Sequence, residues 1–192
     1  MTLRILGGKF KGRLLKSPNE KTTRPTQGIM RAAVFNICQH EIEGARFLDV
    51  FAGSGAMGLE ALSRGASHST FIEKDRQAAA CIQENIRTLQ VDSQTEVFST
   101  QATIALNKLT TPFDIIYIDP PYDTPLNEVV KIILAKGLLK SLLFIEERQK
   151  THTPIEFPSL NLYDRRRYGI GLLSIFKISQ FNDYQLAQET PI

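Results

Sequence analysis

Apolar and polar positions alternate in a regular way along most of the chain. "RFLDVF" is a short apolar run, followed by a glycine-rich turn and "AMGLEALSRG", whose spacing predicts a helix closed at Gly65. "STFIEK" and "TEVFS" read as further strands, separated by the helical "DRQAAACIQENIRTLQV" with Asp75 as its N-cap. "TIALNKL" predicts a short helix, "FDIIYID" a fourth strand, "LNEVVKIILAKGLL" a helix and "SLLFIEER" a fifth strand. Strands separated by helices of this length pair in parallel through right-handed crossovers. "SLNLYDRRRYG" and "IGLLSIFKIS" then read as two strands joined by a short turn, an antiparallel pair at a sheet edge. The architecture expected is an open, doubly wound α/β sheet in a single domain.

Two flanks differ from this body. Residues 1–44 form a basic extension containing an amphipathic helix, "TTRPTQGIMRAAVFNIC", with Ile29, Ala33, Phe35 and Ile37 as its expected buried face. Residues 45–180 make the body, and the polar segment 181–192 is expected to fray.

Charge sharpens that division. Up to Arg31 the chain carries Arg4, Lys9, Lys11, Arg13, Lys16, Lys21, Arg24 and Arg31 against Glu20 alone. The whole chain is only +3, so the remainder is net acidic. A basic leader on an acidic body suits an arm that meets a polyanion, and Gly7, Gly8 and Gly12 would let its backbone approach phosphates closely. Arg4, Lys9, Lys11 and Arg13 are therefore expected to contact nucleic acid. Apolar runs such as "FDIIYI" are too short to span a bilayer, and "MTLRILGGKFKG" lacks the apolar core of a signal peptide. Cys38 and Cys81 have no histidine cluster near them in sequence, which fits reduced thiols in a cytoplasmic protein and no metal site.

Doubly wound sheets bind ligands at the carboxyl ends of their strands. The first strand ends in "DVFAGSGAMG", where Gly53, Gly55 and Gly58 form a GxGxxG turn with Phe51, Ala52 and Ser54. The second ends at Glu73 and Lys74, with Glu73 twenty residues beyond Gly53, the spacing that lets a carboxylate accept from both ribose hydroxyls of a nucleoside. A dinucleotide and S-adenosylmethionine (AdoMet) both fit. Asp49 favours AdoMet, because a carboxylate there suits an ammonium group and opposes a pyrophosphate.

The fourth strand ends in "DPPY". Asp119 and the carbonyl of Pro120 are two acceptors on a turn that Pro120 and Pro121 stiffen, since neither proline has an N–H and both fix φ. Two acceptors so held can take both hydrogens of a flat amino group. Tyr122 offers a ring on which a base can stack, an interaction of roughly 1–3 kcal/mol. That combination serves methyl transfer to an exocyclic amine.

Together, "RILGGKFKGRLL", "RPTQGIMRAAVFN", "DVFAGSGAMGLEALSRG", "FIEKD" and "DPPY" resemble the RsmD family, the bacterial 16S ribosomal RNA guanine-N2 methyltransferases, from Arg4 to about Lys177. The resemblance implies a seven-stranded, mostly parallel sheet of the Rossmann-like methyltransferase type, with AdoMet as cofactor. It implies 16S rRNA or the small ribosomal subunit as partner, and a monomeric enzyme. It puts adenine near Gln101 and Ala102, the target guanine at Asp119, Pro120 and Tyr122, and Arg24, Thr26 and Arg31 at an RNA-facing entrance. The chain departs from the family pattern at Gly28, Ile29, Ala32, Gln101 and Gly171. Transfer to another base, such as adenine N6 in DNA or RNA, uses the same "DPPY" and stays open.

Overall fold

The computed structural model describes residues 3–18, 25–121, 124–148 and 157–178. Its elements follow the predicted order: α1 (Pro25–Ile37), β1 (Arg46–Val50), α2 (Ala56–Ser63), β2 (His68–Ile72), α3 (Arg76–Leu89), β3 (Thr95–Phe98), α4 (Ala102–Lys108), β4 (Phe113–Ile118), α5 (Leu126–Ala135), β5 (Leu139–Arg148), β6 (Leu160–Tyr168) and β7 (Gly171–Ile178). A 3-10 turn, Asp92–Gln94, leads into β3. Asp75 caps α3 as its sequence suggests, accepting from the N–H of Ala78 at 2.8 Å.

The seven strands lie in the order β3-β2-β1-β4-β5-β7-β6. The five from β3 to β5 are parallel; β7 pairs antiparallel with β5 and with β6, which forms the edge. Consecutive strands run outward from β1 to β3, and the chain then returns to place β4 on the other side of β1. That reversal opens a crevice between the ends of β1 and β4. Their register pairs Asp49 with Tyr117 and Val50 with Ile118, so the two strands end level with each other.

Alternation along the central strands fills two cores, as expected of strands covered on both faces. Phe47, Ile115, Phe144 and Ile175 pack with Val34, Phe35, Leu59 and Ile82 of α1, α2 and α3. Leu48, Ile116, Leu143 and Phe176 pack with Leu106, Val129 and Ile133 of α4 and α5.

Helix α1 sits in a different rotation from the one expected. Met30, Arg31, Val34 and Phe35 are its buried residues, Phe35 as expected, with Cys38 buried just past its end, and Phe35 stacks on Phe47 with ring centroids 5.9 Å apart. Ile29 is 57% exposed, because the true apolar stripe starts one residue later, about 100° around the helix.

Residues 3–18 double back on themselves through the Arg4–Leu14 bridge and lie against α2 and α3. Ile5 and Leu15 enter the core. Glu60, fully buried on α2, accepts from the N–H groups of Leu6 at 2.7 Å and Gly7 at 2.8 Å and from Arg64 Nε at 2.8 Å. Gly8 has a φ of +75°, and a Cβ there would lie 1.8 Å from the carbonyl oxygen of Ser63, so the turn needs glycine. The tail at 181–192 lies outside the described residues.

Candidate active site

The loop after β1 turns sharply. Phe51, Gly53 and Gly55 all have positive φ, at +66°, +56° and +76°, and Phe51 is the costly one because a bulky side chain disfavours that region. The loop is held on both sides. The N–H of Ala52 bonds to the carbonyl of Ile72 at 3.0 Å, and the Ser54 carbonyl accepts from Asn85 Nδ2 at 3.1 Å. Gly58 brings α2 close to the sheet: a Cβ there would meet Phe71 Cε1 at 2.3 Å.

Glu73 stands beside this loop at the end of β2. Its carboxylate accepts from the N–H of Gly53 and from that of Asp75, each at 2.8 Å. An ionised carboxylate has about four lone-pair sites, so two N–H donors leave room for two hydroxyls. Lys74 and Gln101 are exposed and Ala102 is buried. Gln101 and Ala102 begin α4 just past the end of β3, next to Glu73 in strand order.

Asp49 lies beneath the loop, 1% exposed, and accepts from the N–H of Gly58 at 3.0 Å. Burial, working against that hydrogen bond, together with the smaller repulsion from Asp119 and Glu73, raises its carboxyl to about 8. A buried acid with acidic neighbours is a poor place for an anion and a favourable one for a cationic ligand. The residues therefore fit AdoMet, with its ammonium and sulfonium groups, better than a pyrophosphate.

Asp119 follows β4 directly, exposed, with its N–H on the carbonyl of Val50 at 3.4 Å. Asp119 thus stands across the crevice from the β1 loop. Pro120 is half-buried, and the Pro121 carbonyl accepts from the N–H of Thr124 at 3.1 Å, which closes the turn. Tyr122 lies outside the described residues.

Three side chains here were not among those singled out from sequence. Tyr117, buried on β4, donates to Glu146 Oε2 at 2.5 Å, and burial raises the pKa of both groups. The signal for Glu146 was present, an acid at the end of a strand just as for Glu73. Asn85 is 2% exposed, and its amide pairs with both the N–H and the carbonyl of Lys16, at 2.8 and 3.0 Å, as well as with Ser54. It joins the amino-terminal segment to the loop.

The expected nucleic-acid contacts are dispersed. Arg4, Lys9, Lys11 and Arg13 are exposed, and Arg13 Nη2 donates to the Thr88 carbonyl at 2.9 Å. Arg24 lies outside the described residues, as does the side chain of Thr26. Arg31 requires a correction. It is 5% exposed, donates to the Arg4 carbonyl at 2.7 Å and lies 3.5 Å from Glu60, so it is an interior ion-pair partner and not an RNA-facing group.

The seven-stranded, mostly parallel sheet is that of the Rossmann-like methyltransferases, and the turn at Asp119 and Pro120 stands across from its glycine loop. The family described as conserved hypothetical protein 95 matches residues 3–177. The chain is 36% identical over 155 residues to ribosomal RNA small subunit methyltransferase D of Escherichia coli, covering 79% of this chain and 78% of that one. It is 33% identical over 181 residues to the YlbH protein of Bacillus subtilis, covering 91% and 98%. The solved structure of the Escherichia coli protein yhhF superposes with a TM-score of 0.83 at 31% identity, covering 93% of this chain and 98% of that one. The chain belongs to this family, that of ribosomal RNA small subunit methyltransferase D.

Proposed function

We propose that the protein transfers a methyl group from AdoMet to the exocyclic N2 of a guanine in 16S rRNA, acting as a cytoplasmic monomer on the RNA or on the small ribosomal subunit. The observation that carries this reading is the pairing of β1 with β4. It sets the acceptors of Asp119 and Pro120 across one crevice from the loop that Asp49 and Glu73 hold together. The family name of the Escherichia coli relative supports rRNA as the substrate class.

Asp49 would take up the cationic amino-acid end of the cofactor and Glu73 its ribose, with adenine beside Gln101 and Ala102. Phe51, Ala52, Gly53, Ser54 and Gly55 would shape the loop around it. AdoMet supplies a methyl group on a sulfonium, already an excellent leaving group. The chain's task is therefore to bring an amine in line with that methyl, a proximity effect. The amine lone pair is delocalised into the base. Asp119 and the Pro120 carbonyl, accepting its two hydrogens, would favour a pyramidal nitrogen and stabilise the charge developing on it. The new N–C bond forms as the C–S bond breaks, and one proton leaves the nitrogen towards Asp119 or solvent. A guanine reaches this position by flipping out of its stack, at a cost of a few kcal/mol. Tyr122 would stack on it.

The test is a labelled-methyl assay on unmethylated small subunits, naked 16S rRNA and duplex DNA, with products digested to nucleosides for mass spectrometry. N2-methylguanosine on a ribosomal substrate is expected. Label only in DNA, or methylated adenine, would overturn the substrate while keeping the chemistry at Asp119.

A further inference from the structure

Of the cations expected to contact nucleic acid, Lys9 and Lys11 lie away from the glycine loop. Lys9 is fixed by its N–H on the carbonyl of Ser63, at 2.7 Å, at the last residue of α2. Helix α2 begins at the glycine loop and runs away from it for eight residues, about 12 Å. The turn carrying Lys9 and Lys11 is therefore at the far rim of the sheet from Asp119.

A different set of cations sits at the catalytic rim. Strand register places Val50, Ile118, Ile145, Ser174 and Arg165 in one row across β1, β4, β5, β7 and β6. One position nearer the strand ends, Glu146 pairs with Leu173 and Leu173 with Arg166, level with Asp119. Arg167 and the turn at Gly169 and Ile170 extend past that row. The β6–β7 hairpin thus carries three consecutive arginines, all exposed, along the edge from which Asp119 projects. From β4 to β6 is three strand spacings, about 14 Å, or roughly four phosphates along a stacked strand.

The guanidinium groups are oriented. Arg165 Nε donates to Ser174 Oγ at 3.1 Å, Arg167 Nε to the Gly169 carbonyl at 3.1 Å, and Arg166 Nε to Asp164 at 2.7 Å. Alternation sends Arg165 and Arg167 to one face of the hairpin and Arg166 to the other. Charges on an edge strand also prevent sheet-to-sheet pairing. Here, though, the half of β6 that exposes apolar surface, at Leu162 and Tyr163, carries no arginine, and its cation is Lys177 of β7, 4.1 Å over the Tyr163 ring. The three arginines fall in the half beside the site.

We infer that Arg165, Arg166 and Arg167 on the β6–β7 hairpin grip the phosphates that flank the target nucleotide, holding the rRNA strand against the catalytic rim. The inference rests on the rRNA reading above. Arginine suits the role, because its fork binds phosphate oxygens through two donors at once. Lys9 and Lys11, on the far rim, would then add only distant or non-specific contact.

The experiment compares wild-type protein with the triple variant Arg165→Gln, Arg166→Gln, Arg167→Gln, the same three residues changed to Lys, and the pair Lys9→Gln, Lys11→Gln. Affinity for a 16S rRNA fragment is measured across a salt series, AdoMet affinity by calorimetry, and methyl transfer under steady state. In the Gln triple, rRNA affinity should fall at least tenfold and the salt slope should shrink by about two. KM for RNA should rise with kcat little changed, and AdoMet affinity should stay at the wild-type value, which shows the site is folded. The Lys triple should keep the salt slope. RNA affinity within twofold of wild type in the Gln triple, with an unchanged slope, overturns the inference and leaves edge protection as the role of these residues. A larger loss from the Lys9 and Lys11 pair than from the Gln triple overturns it too. Wild-type protein that binds no rRNA would instead sink the substrate reading itself.

Discussion

The carboxylate of Asp49, buried at the end of β1, accepts the N–H of Gly58 from α2 at 3.0 Å, with the glycine loop closed between them. Burial is the main reason its carboxyl is raised from about 3.8 to about 8. A folded-state value above the unfolded one means the native protein holds the extra proton. The stability Asp49 contributes is thus full below pH 4 and is lost as pH rises through about 8. A cationic ligand reverses the preference. AdoMet binding at pH 7 should release close to one proton, and affinity should rise with pH, by at most tenfold per unit, up to about 8. Calorimetry in two buffers of different ionisation enthalpy measures the release directly. Asp49→Asn should abolish it. Equal binding enthalpies in both buffers for the wild type would count against Asp49 as the cation's partner.

Glu60 ties the amino-terminal segment to the body, and Arg31 depends on it. Burial lowers the Arg31 pKa while Glu60 opposes that. Glu60→Leu would leave a buried guanidinium uncompensated and strand the N–H groups of Leu6 and Gly7. A loss of about 3–5 kcal/mol is expected, or a fall in Tm on the order of 10 °C for a domain of this size. Adding Arg31→Met should recover part of the loss, since removing both partners is cheaper than removing one. Thermal unfolding of the single and double variants decides it. No recovery would mean that the N–H bonds to Leu6 and Gly7, and not the ion pair, carry the effect.

Gly58 has no room for a side chain. Gly58→Ala would push a methyl to within 2.3 Å of Phe71 Cε1 and 2.4 Å of Ser69 Oγ, both on β2. Overpacking of this kind costs about 1–3 kcal/mol. The helix must also lift from the sheet, carrying the Gly58 N–H away from Asp49. Both Tm and AdoMet affinity should drop. Unchanged stability would show that α2 can shift without loss.

Most of the fold was legible because strand and helix periods differ and each element keeps to one. The parallel pairing, the antiparallel pair at the edge and the Asp75 cap all follow from local pattern. Rotation of α1 was not, because Ile29 and Met30 are both apolar and adjacent, and the choice between them is made by what the helix meets, Phe47 and Glu60. Arg31 was misplaced for the same reason, since a buried arginine is legible only once its partner on α2 is known. The site acids Asp49, Glu73 and Asp119 were legible as carboxylates at strand ends. Asn85 was not, because a lone amide on a helix carries no mark of the two segments it joins. The Arg165–Arg167 run was in plain view, but only strand register shows that it lies level with Asp119.

Asp119 is exposed, lies just past the end of β4 and is joined to the sheet by its backbone N–H. Asp119→Ala should therefore keep the fold and AdoMet affinity while removing one of two acceptors for the target amine. Loss of a single preorganised hydrogen-bond partner lowers kcat by about 10²–10³, and loss of the proton's destination should deepen that. Asp119→Asn keeps an acceptor oxygen but loses the charge, so it should fall between the two. The charge of Asp119 also helps raise the pKa of Asp49. Both variants should consequently shift the midpoint of AdoMet-linked proton release to lower pH. Single-turnover methyl transfer and the pH dependence of AdoMet binding, measured on the same preparations, separate the two effects. A variant that loses AdoMet binding while still folded would place Asp119 in the cofactor site. One that keeps full transfer would remove it from the chemistry.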